Sequence, residues 1–167
     1  MSVEVGTAVF HRTRGVGRVI KVENRRWQGE ETRYLVVEMM ANEDIMRIPE
    51  TSPHLRRVLS NTGIIFRTLH QEPQRLAKNY RSRQAEIRDA LKSGEPEKVA
   101  AAARDIRSYA ESEQGNWTRG GKRLYERALR LLASEVAASQ GCDLSKAKAQ
   151  ITDAMLGGES GRVRVSD

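Results

Sequence analysis

The sequence predicts an α+β protein of two domains, a small antiparallel β-barrel followed by an all-α helical bundle. Two observations carry this. Apolar and β-branched residues come in short runs with polar breaks as far as Pro49, and at helical spacing after it. The net charge of +7 divides at the same point: residues 1–50 hold eight Lys/Arg against eight Asp/Glu, and the remainder holds 21 against 14. A neutral β-rich unit therefore precedes a basic helical one. In a chain of 167 residues, two such units each lie near the lower size limit for independent folding.

Thr7 to His11, Val16 to Val22, Tyr34 to Met40 and Asp44 to Pro49 are short apolar or β-branched runs, with Gly6, Gly15 and Gly17 at the first turns. Glu23 to Arg33 is charged, contains Gly29, and reads as a hairpin loop between two longer strands. Four or five short strands in about 50 residues are too few for a sandwich and suit an SH3-like barrel.

Thr51-Ser52-Pro53 is a turn and the expected boundary. A short helical stretch, Leu55 to His70, leads to Glu72-Pro73. Leu76, Tyr80, Ile87 and Leu91 then recur at helical spacing up to the stop at Ser93-Gly94. Pro96 suits a first helical turn, and Val99, Ala103, Ile106 and Ala110 form the next stripe, ending near Gly115. Thr118 is placed to cap a helix whose apolar face carries Leu124, Ala128, Leu131, Leu132 and Val136. Asp143 is placed to cap another, with Leu144, Ala147, Ile151 and Met155 inside. The Gly/Ser-rich stretch from Gly157 reads as a tail. The expected division is 1–52 for the β domain, 53–157 for the helical domain and 158–167 for the tail.

Charge is uneven among the helices. Residues 75–92 carry six basic groups against two acidic ones, and residues 119–130 carry five against one. The helix between them is slightly acidic. A Lys/Arg-rich helix face is often only a solvated surface. Two of them beside a neutral β unit point instead to contact with phosphate.

Several function classes have little support. Gly15-Val16-Gly17 lacks a third glycine and opens no helix, so it is not a phosphate loop. His11, His54 and His70 have no fixed spacing to a nucleophile, and the paired carboxylates lie in charged loops, so no catalytic residue is assigned and no enzyme is expected. The lone Cys142 and scattered histidines make no metal site, and no cofactor is called for. No apolar run approaches the roughly 20 residues of a membrane span, and Met-Ser-Val-Glu-Val does not read as a signal peptide. The expected setting is cytoplasmic.

With these residues in view, the chain resembles the CarD-like (CdnL-type) bacterial transcription regulators. Val5-Gly6-Thr7-Ala8-Val9-Phe10, Arg14-Gly15-Val16-Gly17, Tyr34-Leu35-Val36-Val37 and Met46-Arg47-Ile48-Pro49 are similar to that family's RNA polymerase-interacting domain. Asn79-Tyr80, Leu91-Lys92-Ser93-Gly94, Lys98-Val99-Ala100, Arg104-Asp105 and Lys122-Arg123-Leu124 are similar to its helical DNA-binding domain. The resemblance spans residue 3 to about 156, in the family's order.

The resemblance implies a Tudor/SH3-like β-barrel that docks on the β subunit of RNA polymerase. It also implies a helical domain that meets promoter DNA at the upstream fork of the bubble and stabilises the open complex. Arg25 and Arg47 match the two arginines with which the family contacts polymerase. Asn79-Tyr80 stands where the family has Asn-Trp, whose indole wedges into the minor groove at the fork. Tyr keeps a flat face with less area. The alternative for Tyr80 is the core, since Leu76, Tyr80, Ile87 and Leu91 lie within about 60° on an ideal helical wheel.

Around Tyr80, Lys78, Arg81, Arg83 and Arg88 are the first candidates for phosphate contact, and Arg119, Lys122 and Arg123 the second group. Ser82 and Ala85 stand where the family often has basic residues. No base-reading cluster is present, so binding is expected to tolerate sequence and respond to salt. Trp117 reads as a packing anchor, and Trp27 as an exposed residue of the hairpin. The expected partners are the polymerase β subunit and promoter DNA, with the protein acting as a monomer and joining the nucleoid through polymerase. Two other readings use the same basic helices, an adaptor for an acidic protein and an RNA-binding accessory.

Overall fold

A computed structural model of the chain describes residues 2–112 and 115–160. Five strands come first: β1 (Ala8–His11), β2 (Gly15–Trp27), β3 (Glu30–Met39), β4 (Ile45–Pro49) and β5 (Leu55–Arg57). Five helices follow: α1 (Gly63–His70), α2 (Tyr80–Ser93), α3 (Pro96–Glu111), α4 (Arg119–Gln140) and α5 (Leu144–Ser160). The strands form one antiparallel sheet in the order β4-β3-β2-β1-β5. It is not closed, since no pairing among the described residues joins β4 to β5.

Two expectations about the strands are corrected. Glu23 to Arg33 is not a loop. β2 and β3 run through it to a two-residue turn at Gln28 (φ 49°) and Gly29 (φ 85°), and positive φ at both central residues marks the tight hairpin turn whose twist matches its strands. Residues 24–31 are exposed on both strands, so no apolar alternation announces them. Cross-strand chemistry supports the arms instead, with Arg26 opposite Glu31. Nor is Leu55 to His70 continuously helical. Leu55, Arg56 and Arg57 pair with His11, Phe10 and Val9, and α1 begins only at Gly63. A strand of three residues exists because β1 offers it an edge, which is tertiary information.

Helix boundaries follow capping chemistry. Asn79 Oδ1 accepts from Ser82 N (3.1 Å), Thr118 Oγ1 from Gly121 N (3.0 Å) and Asp143 Oδ1 from Lys146 N (2.7 Å). Pro96 occupies the first turn of α3, and Gly94 ends α2 at φ 66°, as expected. α2 nonetheless starts at Tyr80, well after Pro73. The segment before it is held in other ways: Gln74 N donates to Asp105 Oδ1 (2.9 Å), and Arg83 Nη1 donates to the carbonyls of Ala77 and Lys78 (3.1 and 3.0 Å). α5 continues through Ser160, into the stretch expected as a tail, and residues 161–167 of that stretch lie outside the described residues.

Strand alternation gives the sheet two jobs. Val9, Val19, Leu35, Val37, Met39 and Ile48 cluster on one side of it. Phe10 and Val16 point the other way, into the core made by the helices. Polar contacts fix the junction. Glu135 on α4 is 2% exposed and accepts two bonds from Arg56 (2.6 and 2.5 Å) and one from Leu59 N (2.8 Å). Arg56 also donates to Gly94 O and lies 4.0 Å above the Phe10 ring. Ser134 Oγ accepts from Val16 N (3.2 Å), and a Cβ on Gly15 would stand 2.6 Å from that oxygen. Glycine is favoured at position 15 both by this approach of sheet and α4 and by its positive φ of 84°.

Candidate functional site

The outward face of the sheet gathers a charged cluster. Period-2 alternation puts Lys21, Glu23 and Arg25 of β2 on one face, and the register carries Arg47 of β4 to the same face across Val36. Glu23 is the hub. Its carboxylate lies 3.2 Å from Lys21 Nζ and 3.3 Å from both the Arg25 and the Arg47 guanidinium groups. Foremost the hydrogen bond from Lys21, and then the charges of Lys21, Arg47 and Arg25, hold the Glu23 carboxyl below its ordinary pKa, although the burial it has works the other way. The two arginines named from sequence are thus neighbours, oriented by one shared acid. Trp27 lies beyond them at the hairpin end, 73% exposed, and Ile45 on the edge strand is also exposed.

The second cluster forms where α2 and α4 begin. Tyr80 is the first residue of α2, set by the Asn79 cap, and is 48% exposed. It belongs to neither apolar core, because the helix starts at Tyr80 and Leu76 falls outside its periodicity. Its hydroxyl reaches the first turn of α4, where a Cβ on Gly120 would stand 2.5 Å away. This contact brings the basic residues next to Tyr80 and those next to Gly120 to one helix–helix corner, with Arg88 about two turns further along α2. Lys78, Arg81 and Arg88 are exposed on the α2 side, and Arg119, Lys122 and Arg123 on the α4 side, away from the α4 residues Leu124, Ala128 and Leu131 that enter the core.

Arg83 differs from the others. It is 7% exposed, its guanidinium is bonded to the Ala77 and Lys78 carbonyls, and it lies 4.4 Å from the Tyr109 ring and 5.6 Å from Tyr80. Buried in this way, it offers a phosphate far less than its exposed neighbours do. It braces the chain before α2 and the back of Tyr80. The Trp117 ring meets that of Tyr125 in a tilted contact, 5.0 Å between centroids and 56° between planes, while Trp117 itself stays exposed.

Three contributors were not named from sequence. Reading Glu23 to Arg33 as a loop hid Glu23 and cut the alternation after Lys21, which lay in the strand Val16 to Val22; Lys-x-Glu-x-Arg at 21, 23 and 25 is the strand pattern that links them. Gly120 carries a weaker signal, a Gly-Gly pair in the first turn of a helix, where glycine is costly unless something approaches closely.

No group of three or more His, Cys, Asp or Glu able to hold a metal occurs among the described residues, and no helix among them is long and apolar enough to cross a membrane. Comparison with family models gives two matches in tandem. Residues 3–61 match the CarD-like/TRCF RID domain, and residues 64–152 match the CarD C-terminal domain. The matches meet between β5 and α1, and each covers one of the two clusters. The chain belongs to the CarD-like (CdnL-type) family of RNA polymerase-interacting transcription regulators.

Proposed function

We propose that this protein docks on the polymerase β subunit through the Glu23 cluster and the adjoining sheet edge, and stabilises the open promoter complex by holding fork DNA at Tyr80. The observation that carries the proposal is the placement of Tyr80: a half-exposed aromatic ring at a capped helix start, flanked by cationic side chains from two helices. A ring so placed can lie against an unstacked base step while Lys78, Arg81, Arg88, Arg119, Lys122 and Arg123 hold the phosphates. The helix start adds backbone donors on the same side.

The five-stranded sheet is read as a Tudor/SH3-like unit, ended by β5 rather than by the turn before it. Docking rests on local charge and an open strand edge, since the unit through β5 holds ten basic against eight acidic groups, a net charge of only +2. Protein contact raises the effective concentration of the DNA contact, so a monomer with weak affinity for free DNA suffices at a promoter. The protein then acts where polymerase acts, in the cytoplasm and on the nucleoid. A factor that binds the melted state better shifts the equilibrium by its differential affinity and no more.

The test is the lifetime of open complexes formed with saturating protein. Tyr80→Ala is expected to shorten it several-fold while leaving the affinity for polymerase unchanged; an unaltered lifetime overturns the assignment. An adaptor that meets an acidic protein would show no dependence on fork structure, so anisotropy with fork and fully paired DNA in the presence of polymerase separates that reading.

A further inference from the structure

A second cationic site lies away from Tyr80, in the cleft between the two units. The turns after β1 and β3 form one wall, and α4 with the start of α5 forms the other. The cavity is about 590 Å³, within the roughly 300–1,000 Å³ typical of small-molecule sites. Its floor is apolar, made by Met39, Leu131, Ala133 and Leu144. Arg14, Arg127, Arg130 and Lys148 surround it, and no carboxylate lines it. None of these four cations is in an ion pair among the described residues, although ion pairs engage Arg25, Arg47, Arg56, Arg104 and Arg107 elsewhere.

Cations that converge without acids repel one another, and a ligand of opposite charge relieves that repulsion. The walls argue for its size. A DNA backbone lies on a surface and would leave the floor empty, whereas a ring joined to phosphates satisfies both parts. We propose that this cleft binds a nucleoside polyphosphate, its phosphates held by Arg14, Arg127, Arg130 and Lys148 and its base laid against Met39, Leu131 and Leu144. Asn42 and Ser145, also at the cleft, supply polar groups for the sugar or base edge. Arg14 and Asn42 belong to the sheet unit and the other cations to the helices, so the ligand bridges the two and stiffens the angle between the docking and DNA surfaces.

Titration calorimetry on the full-length chain tests this, with ATP, GTP, pyrophosphate and fork DNA as separate ligands. The expected result is saturable binding of at least one nucleotide, tighter than pyrophosphate, with a rise in melting temperature from ligand linkage. Arg130→Glu combined with Lys148→Glu should weaken nucleotide binding about tenfold or more, as loss of charge-assisted bonds does. Both side chains are exposed, and Arg14→Glu on the sheet side reaches the same loss by an independent route. The unliganded melting temperature should stay as in the unsubstituted protein. No binding of either nucleotide, or binding indifferent to both variants, overturns the proposal. Pyrophosphate binding as tightly as ATP would leave an anion site without a base subsite and also overturns it. So does a double variant that loses fork DNA but no nucleotide, since the cleft would then extend the DNA surface. None of these outcomes bears on Tyr80.

Discussion

Glu23 sets the geometry of two arginines that, as isolated surface side chains, would sample many rotamers. One carboxylate with three cations leaves the cluster net positive, and the arginines held ready for a partner. The sign of its pH dependence follows. A carboxyl whose folded pKa lies below its unfolded value stabilises above the unfolded value, and the contribution is lost as pH falls through the folded one. The cluster should therefore persist at neutral and mildly acidic pH. In an NMR titration the Glu23 carboxyl carbon should show a midpoint below the ordinary 4.5; one at or above it contradicts the geometry. Reversing the arginines is the functional counterpart. Arg25→Glu with Arg47→Glu turns the net charge negative and should weaken binding to the β subunit at least about tenfold, given the cost of facing like charges. Undiminished capture of the subunit would remove this face as the dock.

At the scale of elements, local chemistry was legible and tertiary chemistry was not. The Thr118 and Asp143 caps, Pro96 and the Gly94 stop could be read because a helix end is satisfied by residues within one turn of it. The outer β2–β3 hairpin could not, because arms with water on both sides show no apolar alternation, nor could β5, which depends on the edge of β1. The same limit applied to the site. Tyr80 could be named as a candidate but not separated from the core, since that depended on where α2 starts. Arg83 looked like its neighbours, and only the packing of residues 77, 78 and 109 takes it inside. Asn79 joins the two questions, because one side chain both starts the helix and sets the direction of the ring. Asn79→Ala should cost about 1 kcal/mol of stability in urea unfolding, as lost caps do. It should also shorten open-complex lifetime although Tyr80 is intact. If stability falls by that amount and the lifetime does not change, the ring does not need its helical seat.

Across the whole molecule, the two clusters act together only if the sheet and the helices keep a fixed relation. Phe10 and Val16 give them a shared core, and the pair of Arg56 with Glu135 adds direction. Burying that carboxylate is costly, and the structure meets the cost with three hydrogen bonds and the cation of Arg56, which itself is bonded to the end of α2 at Gly94. Strand β5, helix α2 and helix α4 thus meet at one ion pair. Removing its arginine would leave a nearly inaccessible charge with no countercharge and one bond, from Leu59 N; removing the acid leaves Arg56, which is partly exposed, a route to water. The acid is therefore the gentler cut, and Glu135→Ala should still cost about 3 kcal/mol, the lower end for breaking a buried pair. Because the core is shared, amide exchange in β1 and in α4 should accelerate together, as one cooperative unit does. If α4 weakens while β1 keeps its protection, the units open separately, and a protein docked by one of them could not hold DNA in place with the other.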